Sequence, residues 1–404
     1  MQDMITGLIH HPYKAPAGFV APQHGVYKAS TVIFPNSAAM RARQWKDKTG
    51  YTYGLHGTPT TFVLEERLAA LEGGTQCLLL PSGLAAVAIV GLALLKTGDE
   101  VLIPDNAYGP NKALAEGELK SWGITHQYYD PMKPQDLADR MTAKTRLVWV
   151  EAAGSVTLEF PDVCELVRIC KAKGVLCALD NTWGAGIAFQ AFDLTPGSTP
   201  ALGVDISVHA LTKYPSGGGD VLMGSVITRD PALHLKIKLA HMRLGFGVSG
   251  NDTELVLRSL PSIVLRYQAH DAATRELANW CQARPEFAQV LHPALPHSAG
   301  HAHWRALCRH EAGGAAGLFS VIFKPDFSLK QVDAFCDALR LFKLGTSWGG
   351  PISLVVSYDL ASMRSGWPAH LARGTVVRFS VGLEAVHDLQ ADLAQALAVA
   401  NASS

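Results

Sequence analysis

The 404-residue chain has no surplus of either charge, with 35 Lys and Arg offsetting 35 Asp and Glu. It therefore offers no electrostatic ground for holding nucleic acid or an anionic membrane. Charged residues are scarce, at 17% against 48% apolar, a balance that excludes disorder and fits a well-buried globular chain, of a kind common in obligate oligomers. No CxxC pair occurs among the seven cysteines (Cys77, Cys164, Cys170, Cys177, Cys281, Cys308 and Cys336), and their number is odd. Most lie in apolar runs such as VLCALD, which predicts buried free thiols in a reducing compartment. The start, MQDMITGLIHHPYKAP, lacks the basic and apolar segments of a signal peptide. The longest apolar stretch, residues 77–95, is split by PSG at 81–83, so no membrane span and a cytoplasmic location are expected. Internal repeats, low-complexity runs, a GKS or GKT phosphate loop and a GxGxxG dinucleotide fingerprint are all missing.

What is present is alternation. Short apolar runs at 76–80, 100–105, 124–130, 146–152, 175–180 and 204–210 read as strands. The segments 84–96, 110–122, 134–141 and 161–174 between them read as helices. Such β–α units build a mostly parallel sheet covered on both faces. A further strand is expected at 220–229, then a helical region at 252–284 broken or kinked at Pro261. A smaller mixed block follows, with strands at 318–323, 353–358 and 376–382, a helix at 329–339 and a closing helix from about Ala385. The first 55 or so residues show little periodicity and read as an arm that packs on another surface.

In open parallel sheets ligands bind beyond the carboxyl ends of the strands. The run QCLLL ends there in PSG and opens a helix at Leu84, leaving backbone N–H groups where an anion can sit. VLCALD ends in Asp180, and a carboxylate at the end of a buried strand needs a partner. VDISVHA leads to Thr212 and Lys213, and Lys213 has no charged neighbour between Asp205 and Asp220. Taken singly, these are an ordinary turn, a capping or ion-paired acid and a surface lysine. Together they supply a phosphate nest, an acid for a pyridinium nitrogen and a desolvated nucleophilic amine, the set that pyridoxal 5'-phosphate requires.

With these residues placed, the chain resembles the Cys/Met-metabolism family of pyridoxal-phosphate enzymes, of the aspartate-aminotransferase fold class (fold type I). The likeness runs through YGLHGTPT (53–60), LPSGLAAV (80–87), NAYGP (106–110), LDNTWGAG (179–186), ALTKYPSGGGD (210–220), HPALP (292–296), TSWGG (346–350) and RFSVGLE (378–384). It implies an N-terminal arm (1–58) contacting a neighbouring subunit, a cofactor-binding α/β domain (59–258) and a smaller C-terminal α/β domain (259–404). It also implies residue roles. Lys213 would hold the cofactor and move the substrate Cα proton, and Asp180 would pair with the pyridinium nitrogen. Tyr108 would stack on the ring and help position or deprotonate the substrate amine. Gly83, Leu84 and Thr212 would hold the phosphate, with Tyr53 reaching it from a neighbouring subunit. Arg378 would clamp the substrate carboxylate, supported by Ser347, with Trp348 beside it.

The chain departs from that pattern at Leu55, where many relatives carry a phosphate-binding arginine, and at Ala210, where many carry serine. The phosphate charge would then be met by His56 or by backbone groups, and no role is assigned to His209. Trp348, Trp183 and GTP at 57–59 match the β-lyase members rather than the γ-synthases and γ-lyases. The implied reaction is Cβ–S cleavage of L-cystathionine to homocysteine, pyruvate and ammonia, a step of methionine biosynthesis, in a dimer-built homotetramer. A γ-lyase, γ-synthase or methionine γ-lyase activity is the alternative, and a non-catalytic cofactor-binding regulator is the reading from another class. Five histidines at 292–310 have neither the spacing nor the carboxylates of a metal site. That stretch is expected to be a surface loop, and no metal is expected.

Overall fold

The computed structural model describes residues 4–12, 15–308 and 314–403. Its centre is a seven-stranded sheet: β1 (Gln76–Leu80), β2 (Glu100–Pro104), β3 (Thr125–Tyr129), β4 (Thr145–Glu151), β5 (Leu176–Asp180), β6 (Ile206–Ala210) and β7 (Gly224–Thr228). The spatial order is β1-β7-β6-β5-β4-β2-β3. From β6 to β3 every pairing is parallel, and only β7 runs against its neighbours β6 and β1. The central strands are buried along most of their length, as expected of a parallel sheet with both faces covered.

Several helices begin where their sequence supplies a cap. Ser82 accepts from the Ala85 N–H at the start of the helix Gly83–Leu94. Asp162 caps Val163–Lys173, which ends on Gly174 in the left-handed conformation. The expected helix at 110–122 is real but irregular: Gly109–Leu114 is α-helical and Ala115–Leu119 widens into a π turn that includes Gly117. The expected strand at 220–229 shortens to β7, because Met223 N donates to Thr212 Oγ1 and keeps the chain before Gly224 in the lysine loop.

The region 252–284 divides where Pro261 stands, into Gly250–Ser259, a tight turn Leu260–Ser262 and the helix Ile263–Gln282. Beyond it lies a second sheet of β8 (Phe287–Leu291), β9 (Leu318–Phe323), β10 (Lys343–Leu344), β11 (Leu354–Tyr358) and β12 (Val376–Ser380), in the order β10-β11-β12-β9-β8. Its core is aromatic, with Phe319 stacked on Phe379 at 4.8 Å and Phe323 edge-on to Phe335. The closing helix is Val386–Ala402.

The histidine-rich stretch is not the surface loop expected. His292 is fully buried, and a helix His301–Leu307 starts at Gly300, anchored by a contact of His301 Nδ1 with the Pro293 carbonyl oxygen. His310 lies outside the described residues. Among the described residues no three His, Cys, Asp or Glu side chains converge to hold a metal ion, and no helix is long and apolar enough to cross a membrane. No disulfide joins the seven cysteines, of which all but Cys164 are buried.

Candidate active site

The carboxyl ends of the first sheet's strands open into a cavity of about 600 Å³, closed on its far side by loops of the second sheet. Ser82, Gly83 and Leu84 line it at the start of the helix Gly83–Leu94, and Ala210 and Thr212 line it beyond β6. Gly83 must be glycine: a Cβ there would stand 2.5 Å from the Cβ of Ala210. Helix start and lysine loop thus meet with only backbone between them.

Lys213 follows β6. Its Nζ donates to Ser347 Oγ at 2.8 Å and stands 5.4 Å from the ring of Trp348. The loop carrying these partners comes this close because Gly349 adopts φ +76, with the Cβ of Lys213 only 3.2 Å from where its own would be. Burial, aided by the nearby Arg378 charge and opposed by Asp180, pulls the Lys213 amine down to about 8. The segment without charged neighbours in sequence therefore acquires two of them in space.

Asp180 ends β5, where Thr182 donates to its Oδ1 through both its N–H (3.0 Å) and its hydroxyl (2.5 Å). Thr182 Oγ1 in turn accepts from Ala210 N at 2.9 Å, which ties the acid to the end of β6. Burial outweighs these bonds and raises the carboxyl above its ordinary range. Glu151 stands opposite Asp180 in the β4–β5 register and also lines the cavity. Burial, then the Asp180 charge, pushes Glu151 well up, and its Oε2 accepts from Tyr108 N at 2.7 Å. Burial and these two acids likewise raise the Tyr108 phenol.

Arg378 points in from β12, 6% exposed, donating through Nη2 to the Thr346 carbonyl at 2.9 Å and lying 5.3 Å from the Tyr358 ring. No carboxylate among the described residues forms an ion pair with it. A buried guanidinium without a counter-ion is poised for an anion supplied from outside.

One cavity therefore brings together Lys213, Asp180, Tyr108, Gly83, Leu84, Thr212, Arg378, Ser347 and Trp348. Trp183 joins them, edge-on to Phe160. Tyr53 is not among them: it is 43% exposed on the arm side, with its ring edge-on to His56. Leu55 and His56 line a separate shallow recess beside Lys238 and His241, and His56 Nδ1 lies 2.7 Å from Thr52 Oγ1. His209 sits wholly buried, 3.3 Å from the equally buried Glu72. Glu151, Thr182, Tyr358 and Met363 line the cavity as well, beyond the residues expected there. Glu151 carried the one available signal, since it ends its apolar strand as Asp180 ends the next.

The family model for the Cys/Met metabolism PLP-dependent enzymes matches residues 5–398. A putative cystathionine β-lyase of Rhizobium johnstonii is 38% identical over 389 residues, 95% of this chain and 93% of its own. A cystathionine β-lyase of Bordetella avium is 36% identical, across 97% of each chain. Among solved structures, a cystathionine γ-synthase of Xanthomonas oryzae pv. oryzae superposes with a TM-score of 0.86 at 26% identity, covering 100% of both chains.

Pyridoxal phosphate is the cofactor of this family, and the residues present fit it. The close approach of Gly83 to Ala210 leaves a bare helix start for a phosphate, and burial raises the carboxyl at Asp180, which a cationic ring nitrogen would offset. A largely buried amine, already displaced towards its neutral form, stands in the same cavity.

Proposed function

The chain belongs to the Cys/Met metabolism PLP-dependent enzyme family, and from that premise we propose that it is a carbon–sulfur β-lyase splitting L-cystathionine into homocysteine, pyruvate and ammonia. The observation that carries the reading is the pairing of Lys213 with Arg378 in one cavity: an amine lowered to about 8 beside a guanidinium awaiting a carboxylate. An α-amino acid held by that carboxylate presents its Cα to the amine. The tryptophans Trp183 and Trp348 on the cavity wall support β- over γ-chemistry, as do the relatives named as β-lyases.

Pyridoxal phosphate, when bound, supplies the electron sink for charge left on Cα. Lys213 would be its attachment point and Asp180 the partner of its pyridine nitrogen, with Thr182 fixing the acid's direction. The N–H groups of Gly83 and Leu84, with Thr212, would hold the phosphate. Arg378 takes the substrate carboxylate with its planar fork, supported by Ser347. Lys213 removes the Cα proton and returns it to the departing sulfur, so that the Cβ–S bond breaks as a thiol leaves. The three-carbon fragment takes up water and leaves as pyruvate and ammonia. Tyr108 positions the substrate amine, since its raised phenol is a poor base.

The arm, residues 1–58, is assigned to a second copy of the chain, with Tyr53 facing that copy's phosphate. Its side chains Val20, Ile33 and Phe19 are 94%, 91% and 67% exposed, apolar surface that such a contact would cover. Two such dimers would pair into a tetramer.

The test is a product assay on the cofactor-loaded protein with L-cystathionine. Pyruvate and homocysteine are expected in equal amounts. Release of 2-oxobutyrate and cysteine alone would establish γ-elimination instead.

A further inference from the structure

Beside the cavity mouth lies a cluster that the reaction itself does not use. Arg364 follows β11 and the short helix Leu360–Met363, and its side chain is 6% exposed. It is held between two acids of the first sheet's loops. Nε reaches Asp105 Oδ2 at 3.3 Å, while Nη1 reaches Glu159 Oε2 at 3.1 Å and Nη2 reaches Glu159 Oε1 at 3.3 Å. Asp105 also accepts from Ser365 N and from Lys112 Nζ, and the same Lys112 Nζ donates to the Met363 carbonyl at 2.7 Å. Glu159, 1% exposed, accepts in addition from Asn106 Nδ2, Thr157 Oγ1 and the His370 ring. Burial alone would raise Glu159, yet the His370 hydrogen bond and the Arg364 charge hold it at about 2. Glu159 is thus held as a carboxylate beside Arg364.

Three of the segments entering this cluster also wall the cavity; the one carrying His370 does not. Asp105 and Asn106 precede Tyr108; Thr157 and Glu159 alternate with Val156 and Leu158; Met363 precedes Arg364. The clamp therefore lashes the strap 358–365, from the second sheet, across a mouth built by the first. The surface that the strap presents there, Tyr358 and Met363, packs in one apolar cluster with Val156 and lines the cavity together with Leu158. A carbon chain beyond a thioether sulfur suits such a wall.

We infer that Arg364 is a positioning residue, fixing the strap so that Tyr358 and Met363 select the S-substituent the site accepts. The inference rests on the thioether reading given above. A lysine at 364 would reach one acid but not both, since only guanidinium offers a fork.

The test compares cofactor-loaded wild type, Arg364→Gln, Arg364→Lys and Met363→Ala on L-cystathionine, S-methyl-L-cysteine and S-benzyl-L-cysteine. Hydrogen exchange across 358–367 and the cofactor absorbance are recorded alongside. Arg364→Gln is expected to raise KM for cystathionine about tenfold, with kcat within about twofold. It should speed exchange in the strap about tenfold and leave the absorbance unchanged. Arg364→Lys should restore only part of both. Met363→Ala keeps every ion pair and should raise the S-benzyl over S-methyl preference about fivefold. An unchanged KM in Arg364→Gln, unchanged strap exchange, or a loss confined to kcat overturns the inference. If Arg364→Gln does not fold, Met363→Ala decides alone, and an unchanged preference overturns it. Should wild type release pyruvate from none of the three, the lyase reading fails by itself; the order of their dissociation constants, read from the cofactor absorbance, then judges the wall in Met363→Ala.

Discussion

Lys213 Nζ donates to Ser347 Oγ at 2.8 Å across the seam between the two sheets, so the amine of one sheet's loop is oriented by the hydroxyl of the other's. Ser347→Ala removes the acceptor while leaving the amine in place. It is expected to lower kcat by about tenfold and to leave cofactor content unchanged, measured by absorbance against protein concentration.

The lowered Lys213 pKa has a direct chemical reading. In the apo-protein, competitive acylation followed by mass spectrometry should give Lys213 a reactivity midpoint near pH 8. A fully exposed lysine amine in a model peptide titrates at about 10.4. A Lys213 midpoint at the exposed value would show that burial does not neutralise it.

The same shift predicts a gain in stability. Lys213 is harder to protonate folded (about 8) than unfolded (10.5), so protonation favours the unfolded chain. The penalty is complete below pH 8 and fades as pH rises towards 10.5. Lys213→Met, though inactive, should stabilise the apo-protein by up to about 3 kcal/mol at pH 7, less the lost Ser347 bond. The difference in Tm should shrink as the pH is raised.

Arg378→Lys keeps the charge and loses the fork. KM is expected to rise about 10- to 100-fold, equivalent to roughly 1.4 to 2.8 kcal/mol, with a smaller fall in kcat. Steady-state kinetics at saturating cofactor separate the two.

Gly83→Ala sets a methyl 2.5 Å from the Cβ of Ala210 and must push the helix start away from β6. A loss of about 1 to 3 kcal/mol in stability is expected, together with faster loss of cofactor on dialysis. Gly83→Ala combined with Ala210→Gly should recover most of both.

The parts of the site that could be read from sequence are those at which a local pattern ends. Asp180 and Lys213 close or follow short apolar strands, so their position at the sheet edge follows from periodicity alone. The parts that could not be read depend on register or on distant chain. Glu151 faces Asp180 only because β4 and β5 pair as they do, and Arg364 meets Asp105 from 259 residues away. Tyr358 gains meaning only beneath Arg378, through the β11–β12 ladder. In the fold, the helix Pro231–Leu244 went unassigned although Asp230 and Pro231 mark its start; its interior mixes lysines and histidines into the apolar face, which blurs the period. β8 was lost for the opposite reason, being five residues long with its alternation interrupted by a register shift.

The ladder between β1 and β7 couples residue 76 to residue 228 and helps bring the helix start at Gly83 against Ala210 at the end of β6. During synthesis the helix start at Gly83 therefore leaves the ribosome long before the strands that bring Lys213 to it. Arg378 emerges later still, on a strand of the other sheet. On the proposed assignment, cofactor capture would wait for β7 but not for Arg378, and a nascent chain stalled before β7 would lack the strand that joins β1 to β6.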